Sequence, residues 1–538
     1  MRRSVQSLVL LFIGTGLQAQ MTHEGHGSAD PSIPALGTID FPTSATAKSH
    51  AAFVQGVLYL HNFHYPQAAR AFRDAQQLDS SNVMGYWGEA MTYTHPVWNE
   101  QDTAAAHIAL MRLAPTPEAR LAFARNNRER GWLYAVEMLY APGGTKAHRD
   151  TAYSAAMASL HESDTSDVEA TTFYALSLLG LNQGDRDPVA YQKAYELVAP
   201  VFNTHPHHPG AAHYLIHAVD DPQHAALGEK AASAYSEIAP SAAHAIHMTS
   251  HIFLALGKWD DVVNANVRAL NAMPKGVISG HVAHWLHYGL VQQGRYRDAD
   301  KWIATMVNRA ETNEDRVRED AWDAAGLMSA ANVADSHRWK GAAASVRVDP
   351  SVMKAYPILA LDLASAEFGY ALAALNRGDR ATFDGVLAGM TKVRQNAAGD
   401  PTLATSRGMS EVMEKTLRGY SLWKHGSMSD ALTQFRNAAT QEAALPMPFG
   451  PPETIKPPRE AAGEVLLFMK RPADAKKEFT LALARTPGRV APLLGLARSE
   501  KALGNAAESH KRYAQVLAIW HMADKDVPEL AEVRSGAR

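Results

Sequence analysis

Twelve of the 25 histidines in this sequence lie between residues 205 and 287, at spacings that could bring imidazoles together around a metal ion. Neutral imidazole is the commonest protein ligand for zinc, copper and iron, and two histidines four residues apart on a helix can chelate one ion. His213 and His217 are each followed 34 residues later by another histidine, His247 and His251. The twelve are His205, His207, His208, His213, His217, His224, His244, His247, His251, His281, His284 and His287.

The spacing predicts that seven of these side chains share one side of three consecutive helices. At about 100° per residue, His213 and His217 lie about 40° apart, and His244, His247 and His251 lie within about 60°. His281 and His284 also share a helix face, whereas His287 points about 120° away and is expected to pack between helices.

The candidate metal ligands are His213, His217, His247, His251 and His284, with Asp220, Glu460 and Glu464 as possible carboxylate ligands. Neighbouring helices pack within about 10 Å, so imidazoles from adjacent repeats could converge on a zinc, copper or iron ion. The alternative is that the seven histidines only line a groove that binds a peptide or a small molecule. Both interpretations stay open at this point.

Other histidines suggest simpler roles. His61 and His64 lie beside a predicted turn, where they are expected to contact solvent or cap backbone groups. His205, His207 and His208 are interleaved with prolines on the loop that enters the histidine helices. They are expected to form a turn, and the alternative is that this loop lends an extra ligand.

Composition limits the class of protein. The chain has no cysteine, which excludes disulfides, thiol nucleophiles and cysteine-based zinc sites. With a net charge of −3, the chain lacks the excess of positive charge that is typical of proteins that bind nucleic acid. Residues 1–20 fit a secretory signal, with Arg2-Arg3, an apolar run and a small-residue cleavage site. No later apolar run is long enough to span a membrane, so a periplasmic or secreted protein is predicted.

The rest of the chain is predicted to be helical repeats. Residues 21–48 are expected to be a flexible lead-in, 49–300 an N-terminal array with the histidine-rich groove, 301–411 degenerate repeats, 412–522 a C-terminal array and 523–538 a tail. Half of residues 445–458 are proline or glycine, which disfavours helix. This segment is either an extended connector or a strap that folds into the groove.

These patterns resemble the tetratricopeptide repeat family, whose 34-residue unit is a pair of helices. The matching residues are Ala68, Phe72 and Ala75 in one unit, and Ala475, Phe479 and Ala482 in another. The chain is also similar to a group of exported bacterial repeat proteins that share His95-Pro96-Val97-Trp98, the His208–His213 segment and the Ser250–Phe253 segment. The resemblance implies an all-α solenoid with a right-handed superhelix whose concave groove binds a ligand.

The resemblance also implies which side chains face that groove, namely unit positions 2, 5, 9, 12 and 13. With units starting at Pro209, Ala243 and Gly280, these positions hold His213, His217, His244, His247, His251, His281, His284 and Asp220. The lysine and asparagine that clamp a peptide carboxylate in the family are absent. Two hypotheses follow: an exported scaffold that binds a protein, peptide or small ligand, and a metal-dependent enzyme or metal-handling protein.

Overall fold

The helices of the first two thirds of the chain run from Ala47 to Ser336. The computed structural model describes residues 35–181, 186–347, 361, 367–400, 403–447 and 449–538, and the predicted signal sequence lies outside these ranges. The helices are α1 (Ala47–His61), α2 (Tyr65–Leu78), α3 (Val83–Met91), α4 (Thr103–Met111), α5 (Pro117–Ala122), α6 (Asn127–Leu139), α7 (Lys146–Ser163), α8 (Val168–Leu179), α9 (Pro188–Thr204), α10 (Pro209–Val219), α11 (Ala225–Ile238), α12 (Ala243–Ala255), α13 (Trp259–Ala272), α14 (Gly280–Gln292), α15 (Tyr296–Thr312) and α16 (Asp315–Ser336).

The last third continues the helical pattern. Its helices are α17 (Phe368–Arg377), α18 (Arg380–Asn396), α19 (Ala404–Lys424), α20 (Met428–Ala443), α21 (Pro458–Phe468), α22 (Pro472–Arg485), α23 (Val490–Ala502), α24 (Ala506–Ile519) and α25 (Leu530–Gly536). A two-residue hairpin, β1 (Thr94–His95) with β2 (Glu100–Gln101), interrupts the helices of the described chain and encloses a short 3₁₀ turn at Pro96–Trp98. The fold is therefore an all-α solenoid of tetratricopeptide-like helical hairpins.

A large aromatic side chain wedged against glycines holds neighbouring hairpins together. Phe72 of α2 is fully buried, and a Cβ added to Gly56 or Gly88 would lie within 2.6 Å of its ring. Phe479 plays the same part near the other end of the chain, where a Cβ on Gly495 would lie 2.3 Å from its ring. These contacts explain why a small residue must oppose a phenylalanine in these units.

The predicted starts of the histidine-bearing units are confirmed. Helices α10, α12 and α14 begin at Pro209, Ala243 and Gly280. Proline at the first position of α10 suits a helix start because its missing N–H would have no helical partner there. Gly257 and Gly294, at the turns after α12 and α14, adopt φ of +69° and +66°, a conformation that other residues rarely take.

The C-terminal hairpins pack back against the histidine-bearing repeats. Trp520 donates a hydrogen bond from its indole nitrogen to the carbonyl of Gln292 at 3.1 Å. Arg489 donates to the Tyr288 hydroxyl at 2.9 Å and pairs with Asp335. Side chains from α14 and α23 share one apolar cluster. The C-terminal repeats and the histidine-bearing repeats therefore contact each other directly.

Two predicted boundary segments turn out to be part of the core. The lead-in, 21–48, was expected to be flexible. Its first part, 21–34, lies outside the described residues, but in the rest Leu36 and Phe41 are buried, and the Phe41 ring lies 5.0 Å from that of Phe53. In the predicted tail, α25 buries Leu530 and Val533 against the last hairpin. Apolar side chains therefore outweigh the glycine and proline content that suggested mobility. The predicted boundary at residue 411 falls inside α19.

Among the described residues, no helix combines the length and the apolar character that crossing a membrane requires.

Candidate metal centre

Helices α10, α12 and α14 bring six of the predicted histidines into two clusters of three. The first cluster joins two residues of α10 with one of α12, and the second joins two residues of α12 with one of α14. Within each cluster, ligand nitrogens lie within 4.8 Å of one another. We call them site 1 (His213, His217 and His244) and site 2 (His247, His251 and His281).

The two sites are copies of one arrangement, displaced by one structural repeat. Each site takes an i, i+4 pair from one first helix and a single histidine from the next. The pair advances by 34 residues, from His213 and His217 to His247 and His251. The single histidine advances by 37 residues, from His244 to His281, because the loop before α14 is longer.

In both sites, two Nε2 atoms face each other at the separation expected of two ligands on one ion. His244 Nε2 lies 3.2 Å from His213 Nε2 in site 1, and His281 Nε2 lies 3.1 Å from His247 Nε2 in site 2. Two nitrogens bound tetrahedrally at 2.0–2.1 Å from a metal would be about 3.3 Å apart. The imidazole pairs are thus already close to a ligand geometry.

Hydrogen bonds from the Nδ1 atoms fix the orientation of His213 and His247, one ring of each facing pair. His213 Nδ1 donates to the carbonyl of His61 at 2.7 Å, and His247 Nδ1 donates to Asn266 Oδ1 at 2.7 Å. Asn266 is itself held, because its amide donates to the carbonyl of Val262. A proton on Nδ1 leaves the Nε2 lone pair of a neutral imidazole free for a metal.

Asp220 contributes to both sites. It lies at the end of α10, and its Oδ2 accepts a hydrogen bond from His251 Nδ1 of site 2 at 2.9 Å. The same oxygen lies 3.8 Å from His217 Nδ1 of site 1. The carboxylate also forms a close ion pair with Arg186. Asp220, predicted as a possible metal ligand, thus contacts ring Nδ1 atoms of both sites and leaves the Nε2 atoms free.

The Nε2 atom of the second histidine in each i, i+4 pair has no hydrogen-bond partner among the described residues. These atoms are His217 Nε2 in site 1 and His251 Nε2 in site 2, and both residues are buried. A buried polar atom without a partner is costly, commonly by about 1–3 kcal/mol. The same cost recurs one repeat apart, on the atoms that would complete each set of three ligands.

Aromatic rings wall both sites. The Phe63 ring lies 4.3 Å from His213 and 5.5 Å from His244, measured between centroids. Trp285 stacks on His251 at 4.3 Å and lies 5.2 Å from His247. Phe63 adopts a positive φ of 55°, an uncommon conformation for a phenylalanine that turns the chain beside site 1. These walls exclude water from the imidazoles.

Burial keeps the imidazoles neutral. It lowers the pKa of His213 to about 3 and that of His247 to about 4. The pKa values of His217 and His251 fall well below the ordinary value, first through burial and then through neighbouring histidines. Protons therefore compete poorly for these nitrogens at neutral pH, and the repulsion expected among clustered imidazolium ions does not arise.

A third cluster, formed by His61, Glu169 and His208, has the residue types of a metal site. Its contacts within the protein are those of a structural cluster. His208 caps α10, where its Nδ1 accepts the N–H of Ala211, so in the neutral ring Nε2 carries the proton. That nitrogen faces Glu169 at 3.3 Å, and His61 Nε2 lies 2.9 Å from the same carboxylate. Burial raises the pKa of Glu169, but the two histidines outweigh it and bring the pKa to about 2.

The orientation of His213 in site 1 therefore depends on this third cluster. The carbonyl of His61 orients His213, and the ring of His61 is held by Glu169 and by the Tyr214 hydroxyl at 2.9 Å. His61 was expected to contact solvent or to cap backbone groups, but it is fully buried and its ring bonds Glu169 and Tyr214. His64, for which the same was expected, is partly buried, and burial lowers its pKa to about 4.

Three predicted ligands lie outside both sites. His284 is partly buried, with a pKa lowered by burial to about 4, but it joins none of the three clusters among the described residues. Glu460 pairs with Lys456 and Arg489, and Glu464 pairs with Lys456 and the Tyr420 hydroxyl. The C-terminal fold thus uses these carboxylates to neutralise buried cations.

The open histidine-lined groove predicted from the sequence is not what the structure shows. Residues of both sites are buried, with the exception of the partly buried His281. The proline- and glycine-rich segment 445–458 contributes to this cover. Of its two interpretations, an extended connector or a strap, this contact favours the strap. Phe449 lies parallel to His251 at 6.2 Å, and a Cβ on Gly450 would lie 2.7 Å from the Trp285 ring.

Comparisons with known proteins give only remote structural likeness. No protein-family model matches the chain, and no curated protein sequence matches it. A human IFIT1 dimer with m7Gppp-AAAA is 16% identical, covering 90% of this chain and 92% of that one, with a TM-score of 0.33.

Two further structures are similar to the same degree. The Cut9 protein of the APC/C hetero-tetramer Cut9-Hcn1 is 12% identical, covering 91% of this chain and 97% of that one, with a TM-score of 0.28. Yeast Tom70 is 11% identical, covering 91% and 94%, with a TM-score of 0.30. All three are tetratricopeptide-type helical repeat proteins. This likeness is too remote to say what the present chain binds.

Proposed function

We propose that this chain is an exported helical-repeat protein that binds two transition-metal ions, one at site 1 and one at site 2. A single observation carries the proposal: the same three-histidine arrangement occurs twice, one repeat apart, with facing Nε2 atoms and held Nδ1 atoms. Zinc and copper both accept such a set of imidazoles.

The arrangement suits a metal better than it suits a purely structural role. His61, which serves a structural role, bonds Glu169 and Tyr214 through its two ring nitrogens. His217 and His251 each bury an Nε2 atom that no described residue satisfies. An ion at each site would satisfy these atoms and the facing pairs together.

Three protein ligands leave a fourth position for water or a small molecule. The sites can thus serve catalysis or metal handling. The scaffold hypothesis, in which a peptide lies along the histidine wall, is less well supported because that wall is buried. A protein partner on the outer surface of the solenoid stays compatible with metal binding.

The test is elemental analysis of protein purified without a histidine tag and then titrated with zinc and with copper. We expect two ions per wild-type chain. His217→Ala should leave one ion, His251→Ala should leave one, and the double variant should leave none. His224→Ala is the control, since His224 is half-exposed and bonded to Asp221.

A wild-type chain that stays metal-free after titration would refute the proposal. Stoichiometry that is unchanged in the double variant would refute the assignment of the sites. Export is tested separately by sequencing the N-terminus of the mature protein, which should begin after residue 20.

A further inference from the structure

The charges around the two sites allow an inference about which ion they hold, and it rests on the proposed function. A metal-binding imidazole is neutral, so the six ligands contribute no charge. Asp220 is the carboxylate that contacts ring nitrogens of both sites. Its charge is cancelled by Arg186, which forms an ion pair with it and lies 3.8 Å from Asp221.

Arg186 is held firmly in this position. Its guanidinium lies over the ring of Tyr191 at 4.8 Å and over the ring of Phe449, in the strap, at 5.3 Å. Its side chain is only 15% exposed. Phe449 also lies parallel to His251, so one strap residue contacts both a ligand of site 2 and the cation that neutralises Asp220.

Asp220, which contacts the ligand rings, and its partner Arg186 therefore add no net charge beside the two sites, and Asp221 pairs with His224 rather than with a ligand ring. The ions must supply most of the charge that the sites contain. The cost of moving an ion into a medium of low dielectric constant rises with the square of its charge, so a divalent ion costs about four times as much as a monovalent one. Two divalent ions at adjacent sites would also repel each other more strongly than two monovalent ions.

We propose that sites 1 and 2 are selective for cuprous copper, and that Arg186 is the residue that sets this selectivity. Arg186 does so because it neutralises the charge of Asp220 beside the metal ions. Copper suits imidazole ligands, and the cuprous ion carries a single charge. The carboxylate that a two-histidine, one-carboxylate iron site needs is instead engaged with Nδ1 atoms and Arg186. Arg186 is a positioning residue, since it does not touch the metal position.

The test measures the affinities of the full-length mature protein for Cu⁺ and for Zn²⁺ by competition with chromogenic chelators of each ion. In Arg186→Gln, the uncancelled charge of Asp220 should raise the affinity for Zn²⁺ by roughly tenfold or more, with a smaller gain for Cu⁺. Asp220→Asn should do the opposite and weaken Zn²⁺ more than Cu⁺. Lys258→Gln, which removes an exposed cation paired with Glu229, should change neither ratio.

The outcomes separate this inference from the proposed function. A wild-type protein that binds neither ion refutes the proposed function itself. A wild-type protein that binds two Zn²⁺ ions in preference to Cu⁺, or an Arg186→Gln variant with an unchanged ratio, refutes the selectivity and leaves the sites intact. If Arg186→Gln fails to fold by circular dichroism, Asp220→Asn decides the question through the opposite shift.

Discussion

Gly257 and Gly488 meet backbone to backbone, where the turn after α12 touches the turn before α23. A Cβ on Gly257 would lie 2.7 Å from the Cα of Gly488, and a Cβ on Gly488 would lie 2.6 Å from the Cα of Gly257. Both residues have φ of +69°. Trp259 adds a hydrogen bond from its indole nitrogen to the carbonyl of Gly488 at 2.8 Å. The last third of the chain is anchored here to the repeat that carries site 2.

Gly488→Ala should destabilise the protein, because alanine is strained at this φ and its methyl group would collide with the Gly257 backbone. We expect a loss of about 2–4 kcal/mol in the free energy of unfolding. Urea unfolding followed by circular dichroism measures it. Gly504→Ala is the matched control, since Gly504 has φ of +80° but nothing within 4 Å of its added Cβ. Equal losses in both variants would contradict the close contact.

Asn266→Ala should weaken metal binding at site 2 alone. The variant removes the acceptor that orients His247, and loss of such an outer partner typically costs 10–100-fold in metal affinity. Titration of one ion per site, monitored by competition with a chelator, would reveal one weakened and one unchanged site. Asn376→Ala is the control, because Asn376 makes the same amide bond to the carbonyl four residues earlier but lies in α17. A loss at both sites would argue against separate outer partners.

The metal-free protein should lose stability as the pH falls from about 6.5 toward 4. The folded-state pKa of His247 is lowered by burial to about 4, below the unfolded value of 6.5. The unfolded chain therefore binds protons first, and the stabilising contribution, present in full above pH 6.5, is lost as the pH falls to the folded pKa. For His247 alone this amounts to roughly 3 kcal/mol.

Thermal unfolding of the metal-free protein across this pH range provides the measurement. The curve for His247→Gln should be flatter than that of the wild type, while His224→Gln should follow the wild type. A wild-type melting temperature that is constant between pH 6.5 and 4.5 would contradict the buried neutral state of these histidines.

Phe449→Ala should accelerate metal exchange at site 2 more than at site 1. Phe449 covers His251 from the strap, whereas Phe63 covers site 1 from the other end of the cluster. The rate of metal transfer to an excess of chelator, resolved by stopped-flow absorbance, should show a faster phase for one ion. Phe468→Ala, at a phenylalanine that is 63% exposed, should leave both phases unchanged.

The sequence predicts the part of this structure that depends on local periodicity. The starts at Pro209, Ala243 and Gly280 follow from proline, turn residues and the 34-residue spacing, and they are helix starts in the structure. The i, i+4 pairs follow from helix geometry alone. The division into two sites does not, because it depends on the way in which α10, α12 and α14 lean against one another.

The sequence could not predict the contacts between distant parts of the chain that bury the histidines. Asn266 lies on a second helix, and Arg186 precedes α9, so no spacing rule ties either of them to the histidines. Glu460 was expected as a possible carboxylate ligand, but it pairs with Arg489 and Lys456, two buried cations that neutralise its charge. Burial of the histidine wall follows from these distant contacts and not from composition.

The position of the strap in the chain has a consequence for the order in which the protein folds and binds metal. All six imidazoles precede residues 445–458 in the chain, so a nascent or refolding polypeptide presents them before their cover exists. If the proposed sites bind ions, we expect uptake to be easiest before the last hairpins dock, and release to require partial opening of the carboxyl-terminal third. The residence time of such ions would then depend on folding kinetics as well as on coordination chemistry.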